Sequence, residues 1–291
     1  MTPPTGSNPS PRFLGRALAA DELFVIAGPC VLEGEVMAFE IASRLREITT
    51  RLAVPFVFKA SYRKDNRSAE ESFTGPGLDE GLELLARIKR ELGVAILTDV
   101  HTPQEVPAVA AVADVVQIPA FLSRQTSLLH EAAASGRVVN VKKGQFLAPE
   151  DMARVLGKLR SVSPNGEVWL TERGASFGYH NLVVDMRSFP VLRALPATVV
   201  HDVTHSLQHP GVGGDRRFAL PLARAAIAAG AHGLFLETHH DPDNALSDPT
   251  TQLPLDGIEA FLAEMKEWRA LQARYVDRPD PVAFPRTRPS A

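Results

Sequence analysis

Three observations predict that the chain forms a single (β/α)8 barrel. Eight short apolar runs, rich in β-branched residues, alternate with stretches of helical periodicity over about 250 residues, the usual length of this fold. Each run is nearly continuously apolar rather than alternating, as in parallel strands that are buried on both faces. The alternative, a doubly wound sheet, is disfavoured because there are eight units and no glycine-rich dinucleotide fingerprint.

The predicted elements follow one another along the chain in the order strand, then helix. The strands are Leu23–Cys30, Val54–Ser61, Val94–Val100, Val115–Ala120, Val138–Lys143, Val168–Arg173, Thr198–His205 and Gly233–His239. The helices are Glu35–Leu52, Leu78–Leu92, Pro103–Val112, Gln125–Ser135, Pro149–Leu159, Phe218–Ala229 and Ile258–Tyr275. A weaker helical pattern over Asn181–Leu195 is interrupted by Pro190, which lacks a backbone N–H.

The two ends of the chain differ from this regular core. Residues 1–20 are rich in Pro, Ser and Gly, and we expect them to form a flexible arm. Residues 277–291 carry four prolines and are expected to be a loose or strapped-down tail. Between them, residues 21–276 contain no linker and no repeat of 20–50 residues, which predicts one catalytic domain.

Composition excludes several classes of protein. The chain has 291 residues, of which 45% are hydrophobic, and a net charge of −3, so no basic field favours nucleic-acid binding. No apolar stretch is long enough to cross a membrane, and the first residues lack the apolar segment of a secretory signal. A single cysteine, Cys30, excludes an intrachain disulfide. Together these features predict a cytoplasmic protein.

Polar and charged residues gather where the predicted strands end. The active sites of (β/α)8 barrels lie at the carboxyl ends of their strands. One polar strand end is common because the strand is leaving the core there, but eight of them indicate a site. The strand-end residues are Cys30, Lys59, Ser61, Asp99, His101, Gln117, Lys142, Lys143, Arg173, Asp202, His205, Glu237 and His239.

This ring combines two kinds of chemistry. A cationic set predicts one or two substrates that carry several negative charges; its members are Lys59, Lys64, Arg67, Arg124, Lys142 and Arg173. A second set offers a thiolate, an imidazole and two carboxylates to a divalent metal; its members are Cys30, His205, Glu237 and Asp248. No local motif groups these four, so the residues alone leave open whether Cys30 is a ligand or a small buried core residue.

Ten ordered blocks between Leu23 and Trp268 carry a resemblance to a known family. They are FVIAGPCVLE (24–33), VFKASYRKDNRS (57–68), GPGLDEGL (75–82), TDVH (98–101), QIPAFLSRQT (117–126), NVKKGQF (140–146), ERGASFGYHNLVVDM (172–186), DVTHSLQ (202–208), FLETH (235–239) and ALSD (245–248). They resemble the 3-deoxy-D-manno-octulosonate 8-phosphate (KDO8P) synthases. The resemblance implies a (β/α)8 barrel, a homotetramer, and the condensation of phosphoenolpyruvate with arabinose 5-phosphate and water, with release of phosphate, in lipopolysaccharide biosynthesis.

The resemblance also implies roles for single residues. Those expected to bind the two substrates are Lys59, Lys64, Asn66, Arg67, Ser68, Asp99, His101, Gln117, the backbone of Ala120, Arg124, Lys142 and Arg173. Within this set, Lys59, Lys142 and Arg173 are expected to hold phosphoenolpyruvate, and Arg67 to hold the sugar phosphate, often in a neighbouring subunit. The residues expected to be catalytic are Lys64, Asn66, Asp99, His205 and Asp248.

The metal follows from the same resemblance. It implies a divalent ion of the Zn, Fe or Mn type, with Cys30, His205, Glu237 and Asp248 as its ligands. The metal-independent branch of the family carries Asn in place of Cys30 and usually Pro in place of Gly144.

Three positions depart from many relatives. Arg63 stands where they have an acidic residue, Asp65 where they have Ala, and His240 where they have Pro.

Two other functions can be compared with this one. The related 3-deoxy-D-arabino-heptulosonate 7-phosphate (DAHP) synthases use erythrose 4-phosphate and typically show Pro-Arg-Thr-Ser where this chain has Asn66-Arg67-Ser68. That difference favours the pentose enzyme. A catalytically silent sugar-phosphate sensor on the same barrel predicts the loss of site residues, and none is lost here.

Overall fold

The structure, a computed structural model, describes residues 10–65, 72–176 and 179–275. Eight parallel strands form a closed barrel: β1 (Phe24–Gly28), β2 (Phe56–Lys59), β3 (Ala95–Asp99), β4 (Val115–Ile118), β5 (Val138–Lys142), β6 (Val168–Glu172), β7 (Thr198–Asp202) and β8 (Gly233–His239). The helices that follow them are α1 (Glu35–Leu52), α2 (Leu78–Leu92), α3 (Val106–Val112), α4 (Thr126–Ala134), α5 (Met152–Val162), α6 (Ser188–Arg193), α7 (Ala219–Ala229) and α8 (Ile258–Ala273). The barrel closes where β8 pairs with both β1 and β7. The predicted (β/α)8 fold is confirmed.

The alternation of side chains along the strands separates an apolar interior from a polar end. Every second residue of a barrel strand points inward. The inward residues towards the amino ends form an apolar plug: Phe24, Ile26, Val57, Leu97, Val115, Val138, Trp169, Val200 and Phe235. Two residues further along their strands come Lys59, Asp99, Gln117, Asp202 and Glu237, which are also buried. The period of two therefore brings these polar side chains together above the plug.

The element boundaries agree best for the long amphipathic helices. The predicted bounds of α1 and α2 match the structure. Most of the predicted strands run beyond the observed ones at their carboxyl ends, since most of the residues that follow are buried although the regular strands have ended. The weak pattern over Asn181–Leu195 contains only α6, which places Pro190 in its first turn, where no helical N–H is required.

Part of the amino-terminal arm forms a small hairpin. Arg12–Phe13 pairs with Arg16–Ala17 in a small hairpin that covers the amino-terminal end of the barrel. The ring of Phe13 packs 5.8 Å from Trp169, and the carboxylate of Glu167 accepts hydrogen bonds from two backbone N–H groups of the hairpin turn. These contacts hold residues 12–17 against the barrel, and the flexibility expected of the arm stays a prediction. Residues 1–9 and the predicted tail at 277–291 lie outside the described residues.

One glycine permits the close approach of β1 and β2. A Cβ atom at Gly28 would lie 2.0 Å from the carbonyl oxygen of Lys59, far inside van der Waals contact. Gly28 immediately precedes the segment that carries Cys30, so this contact fixes where that segment begins. No helix within the described residues is both long and apolar enough to cross a membrane.

Candidate active site

The carboxyl ends of the strands form a polar cup, which we define by its buried charged and amide side chains: Lys59, Asp99, Gln117, Lys142, Arg173, Asp202 and Glu237. Positive and negative groups pair within this ring, Lys59 with Glu237 and Lys142 with Asp202. Each charge has an opposite neighbour, which offsets much of the cost of burial. The sequence predicts that these strand-end residues lie together at the carboxyl end of the barrel. Their positions in the structure agree with that prediction.

Lys59 and Glu237 form the most deeply buried ion pair of the cup. Lys59 Nζ lies 2.6 Å from Glu237 Oε1 and also donates to the carbonyl oxygen of Cys30 at 2.8 Å. Lys64 Nζ lies 3.8 Å from the same carboxylate oxygen. Burial alone would raise the pKa of Glu237, but Lys59, His205 and Lys64 outweigh it and hold that pKa far below its usual range. Glu237 is therefore ionised.

A second buried network joins Lys142, Asp202 and His205. Lys142 forms an ion pair with Asp202, and its Nζ lies 3.0 Å from the centre of the Phe235 ring. Asp202 also faces His205 Nδ1 at 2.9 Å and accepts a hydrogen bond from the His205 backbone N–H. Burial lowers the pKa of Lys142 to about 8, although the carboxylate of Asp202 opposes that shift. Lys142 is a cation near neutral pH that loses its charge more readily than an exposed lysine.

Three of the four predicted metal ligands lie together. Cys30, Glu237 and Asp248 each offer one donor atom, and these three atoms all lie within 4.8 Å of one another. The fourth, His205, directs Nε2 towards Glu237 Oε1 at 3.7 Å. The structure therefore contains a possible Cys/Glu/Asp metal site with an imidazole at its edge.

The segment between β8 and α8 is folded so that Asp248 reaches Cys30. A two-residue strand, Leu253–Pro254, pairs with the end of β8 and holds this segment against the barrel. Gln252 accepts a hydrogen bond from the Cys30 N–H at 3.2 Å and donates to the Ser247 carbonyl oxygen at 2.8 Å. Asp248 itself has φ +49°, the left-handed conformation that non-glycine residues rarely adopt. Backbone strain of this kind is typical of functional sites.

The donors at this cluster fit a divalent cation. Cys30 Sγ lies 2.8 Å from Ser247 Oγ and 3.2 Å from Asp248 Oδ2. Burial, followed by the negative charge of Glu237, raises the pKa of the Cys30 thiol well above its ordinary value, so without a cation the thiol keeps its proton. Glu237 Oε2 is buried and has no hydrogen-bond partner among the described residues. The cluster thus holds a thiol close to two carboxylates, one of which has an oxygen without a hydrogen-bond partner among the described residues. A metal can bind to such donors with release of the thiol proton.

The opposite side of the cup carries donors for an anion. Arg173 donates from Nη2 to Gln208 Oε1 at 2.6 Å, whereas its buried Nη1 has no partner within the part of the chain that the structure describes. Ala120 begins the turn that follows β4, and a Cβ at Gly144 would lie 3.1 Å from its carbonyl oxygen. The Ala120 turn therefore lies beside the end of β5, close to Lys142.

Two further polar groups complete the wall between these sides. Asp99 Oδ2 lies 3.3 Å from His101 Nε2. Gln117 accepts a hydrogen bond from Asn140 at 3.2 Å, and Asn140 in turn accepts one from Thr171. These contacts fix the orientations of Asp99 and Gln117 at the level of the cup.

Not every predicted substrate residue joins the cup. Arg124 is exposed on the turn after β4, and no contact between described residues links it to the cup. Its carbonyl oxygen instead accepts a hydrogen bond from Lys158. Asn66, Arg67 and Ser68 lie outside the described residues, so their predicted roles stay predictions.

Sequence reasoning missed some of the residues that organise the cup. The sequence places Asp202 at a strand end and predicts no role for it, yet it holds both Lys142 and His205. Its position two residues after an inward-facing valine was a signal for an inward carboxylate. Ser247 and Gln252 carry no such signal, because they belong to an irregular segment whose path depends on tertiary contacts.

Comparison with known proteins agrees with this geometry. The model of the DAHP synthetase I family matches residues 17–273. The 2-dehydro-3-deoxyphosphooctonate aldolase of Aromatoleum aromaticum is 54% identical over 254 residues, covering 85% of this chain and 91% of the relative. The proteins of the same name from Polaromonas naphthalenivorans and Pelobacter propionicus are each 53% identical, over 254 and 249 residues. These two alignments both cover 84% of this chain, and 89% and 91% of the respective relatives.

A barrel whose strand ends gather buried cations beside a cluster of metal-type donors defines a (β/α)8 enzyme for anionic substrates, and the chain belongs to the DAHP synthetase I family. Within that family it groups with the 2-dehydro-3-deoxyphosphooctonate aldolases, another name for the KDO8P synthases. The resemblance inferred from the sequence is confirmed, as is the enzyme class. The DAHP synthase alternative is not favoured, since the three relatives described above carry the other name.

Proposed function

We propose that the polar cup binds phosphoenolpyruvate and arabinose 5-phosphate side by side and joins them into KDO8P in the presence of a divalent metal. The observation that carries this proposal is a pair of buried, unpartnered atoms of opposite character. Arg173 Nη1 is a donor without an acceptor, and Glu237 Oε2 is an acceptor without a donor, among the described residues. Buried polar atoms normally have a partner, so two that face the cup and lack one favour a bound ion, substrate or water beside them.

Phosphoenolpyruvate belongs on the cationic side of the cup. Lys59, Lys142 and Arg173 are buried there, and they offer charge-assisted hydrogen bonds to a phosphate and a carboxylate. Two anionic substrates repel each other in water, so cations already held in place lower the cost of bringing them together. This role is consistent with the lysine and arginine content of the strand ends.

The reaction needs no covalent bond to the enzyme. C3 of phosphoenolpyruvate forms the new carbon–carbon bond to the aldehyde carbon of the pentose, whose oxygen takes up a proton. Water adds to C2 with loss of a proton, and phosphate leaves from C2 with its bridging oxygen. Lys64 is the proposed proton carrier, since its Nζ faces the Glu237 carboxylate at 3.8 Å, whereas His205 is assigned to the metal.

Cys30, His205, Glu237 and Asp248 are the proposed ligands of the metal. A divalent ion there supplies a Lewis acid that orients and polarises the aldehyde or a water molecule. The proposed compartment is the cytoplasm, where Cys30 stays reduced.

The proposed assembly is a homotetramer, as the sequence resemblance implies. Sedimentation velocity and activity measured on the same sample test it. A tetramer with activity supports the assignment, whereas a fully active monomer contradicts it.

Phosphate release measured with two aldoses tests the proposed substrate. We expect turnover of phosphoenolpyruvate with arabinose 5-phosphate to be at least about tenfold faster than with erythrose 4-phosphate, because sites built for particular hydroxyl groups discriminate strongly. Arg173→Gln should raise the KM for phosphoenolpyruvate, whereas Arg187→Gln, which changes an exposed arginine paired with Asp185, should not. A preference for the four-carbon aldose would refute the proposal.

A further inference from the structure

Glu105 joins two segments that border the cup. It lies in the short turn Pro103–Glu105 after β3 and is 8% exposed. Its Oε2 accepts hydrogen bonds from the Tyr62 hydroxyl and the His101 backbone N–H, both at 2.7 Å. Its Oε1 accepts one from Arg63 at 2.8 Å. One carboxylate therefore connects the segment after β2 to the turn after β3.

His101 lies between two carboxylates. Its Nε2 faces Asp99 Oδ2 at 3.3 Å, and its Nδ1 faces Glu105 Oε2 at 3.5 Å. The ring of Tyr62 packs edge-on against the imidazole, with the ring centres 5.8 Å apart. Both nitrogens of His101 thus have an acceptor beside them, so the ring can hold a proton on each.

The segment after β2 carries Lys64, the proposed proton carrier. The Tyr62 carbonyl oxygen accepts a hydrogen bond from the Gly77 N–H at 3.1 Å, and the Lys64 N–H donates to the Thr74 carbonyl oxygen at 2.8 Å. Glu105 adds side-chain bonds to the two residues directly before Lys64. Arg63, one of the positions that departs from many relatives, therefore has a partner in this chain.

We propose that Glu105 is a positioning residue for the condensation: it holds the Tyr62–Lys64 segment against the β3 turn and keeps the His101 imidazole directed at Asp99. Arg63 completes this contact from its solvent side. The proposal rests on the proposed function, since Asp99, His101 and Lys64 are assigned there to the reacting centre. None of the residues that hold phosphoenolpyruvate contacts Glu105 directly.

The charges around His101 give the proposal a distinctive signature. Burial opposes the imidazolium, but the hydrogen bond to Asp99 and the charges of Asp99 and Glu105 outweigh it and raise the pKa of His101 above 6.5. Arg63 opposes this rise, and Tyr62 stays neutral because burial and Glu105 raise the pKa of its phenol. Removing the Glu105 charge should therefore lower the pKa of His101, while removing the Arg63 charge should raise it.

The test compares Glu105→Gln and Arg63→Gln in the intact enzyme. The pKa of His101 is measured by NMR on protein labelled at histidine Cε1, with His101→Gln used to assign its signal. We expect shifts of opposite sign in the two variants. For Glu105→Gln, kcat should fall about tenfold or more, because the reacting groups are misplaced. The KM for phosphoenolpyruvate should stay within about threefold, because its binding groups are untouched.

A matched control is Glu35→Gln, which removes the partner of Arg87 in an exposed ion pair of 2.7 Å that includes no residue of the cup. It should change neither the His101 signal nor kcat. If both test variants leave the His101 pKa and kcat unchanged in an active enzyme, or shift that pKa in the same direction, the proposal is wrong. Should Glu105→Gln not fold, Arg63→Gln tests the proposal alone: a higher pKa of His101 supports it, and an unchanged or lower pKa refutes it. A wild-type enzyme that releases no phosphate from phosphoenolpyruvate would instead refute the proposed function.

Discussion

Lys59 and Glu237 form a 2.6 Å ion pair in which neither side chain has more than 1% of its surface exposed. Lys59 belongs to the cationic side of the cup, and Glu237 belongs to the cluster of metal-type donors. One contact therefore joins the substrate half of the site to the metal half. A change in either residue alters both halves, which makes the pair the structural link between anion binding and metal binding.

Removing one charge of this pair should destabilise the fold more than removing both charges. Glu237→Gln leaves the Lys59 ammonium buried without its counter-charge, and we expect a loss of about 3–5 kcal/mol in the free energy of unfolding. The double variant Lys59→Met/Glu237→Leu removes both charges and should recover most of that stability, without activity. Urea unfolding followed by circular dichroism measures both. Equal stability of wild type and Glu237→Gln would contradict the role given to the pair.

The pKa of Lys142 predicts an alkaline limit to the capture of phosphoenolpyruvate. Lys142 is charged below about pH 8 and neutral above it, so kcat/KM for phosphoenolpyruvate should fall as the pH rises through that value. Asp202 raises the pKa of Lys142, so Asp202→Asn should move the fall to lower pH. Asp185→Asn, a change at an exposed ion pair, is the control. An alkaline limb that stays in place in Asp202→Asn would count against this assignment.

Two buried histidines that are not part of the cup predict instability in mild acid. Burial lowers the pKa of His201 to about 4 and that of His232 to about 3, and His232 Nδ1 accepts a hydrogen bond from the Val199 N–H that protonation would break. The unfolded chain binds these protons at about pH 6.5, before the folded chain does. Stability is therefore fully present above pH 6.5 and is lost as the pH falls below it, by about 2 kcal/mol per histidine at pH 5.

Variants of these histidines test the acid effect. His201→Leu should flatten the dependence of unfolding free energy on pH between 7 and 5, whereas His180→Leu, at an exposed position, should leave the slope as it is. Denaturant unfolding at several pH values provides the measurement. The same slope in His201→Leu and wild type would mean that His201 does not titrate as the structure requires.

The close approach of β1 and β2 predicts that Gly28 cannot be replaced. The alanine methyl group would lie 2.0 Å from the Lys59 carbonyl oxygen, so Gly28→Ala should destabilise the fold by about 3 kcal/mol or more. Gly157 lies inside α5, and a Cβ there has no neighbour within 4 Å, so Gly157→Ala should be neutral or stabilise by up to about 1 kcal/mol. Thermal unfolding of the two variants distinguishes these outcomes. A Gly28→Ala protein with wild-type stability would disprove this packing.

The barrel could be predicted because its strands and helices carry strong periodic signals. Lys59, Asp99 and Glu237 could be assigned to one end of the barrel since each closes an apolar strand, and strand ends of a parallel barrel meet there. The polar layer lies above the apolar plug because every second residue of a strand points inward. These parts of the site depend on regular structure, which local sequence largely determines.

The remainder depends on tertiary contacts that no local pattern records. Asp248 reaches Cys30 through an irregular segment held by Gln252, at a sequence separation of 218 residues. The amino-terminal hairpin has the composition of a loop, and the contact of Phe13 with Trp169 that holds it on the barrel leaves no local sequence pattern. Glu105 looks like an ordinary helix-capping residue until Tyr62 and Arg63 are placed beside it. The residues alone offered Cys30, His205, Glu237 and Asp248 as possible metal ligands, and only the resemblance to a family favoured that set over a buried core role for Cys30.

The central claim is that Cys30 is a metal ligand, and the metal content of Cys30 variants tests it most directly. Purified wild type, Cys30→Asn and Cys30→Ala are loaded with a divalent metal, dialysed, analysed for bound metal by mass spectrometry, and assayed with and without a chelator. We predict about one metal per wild-type chain, with activity that chelation abolishes. Both variants should lose the metal, and only Cys30→Asn should keep some chelator-resistant turnover, because its amide can hydrogen-bond a water or a substrate oxygen. A wild type that chelation does not affect, together with a nearly normal Cys30→Ala, would contradict the account.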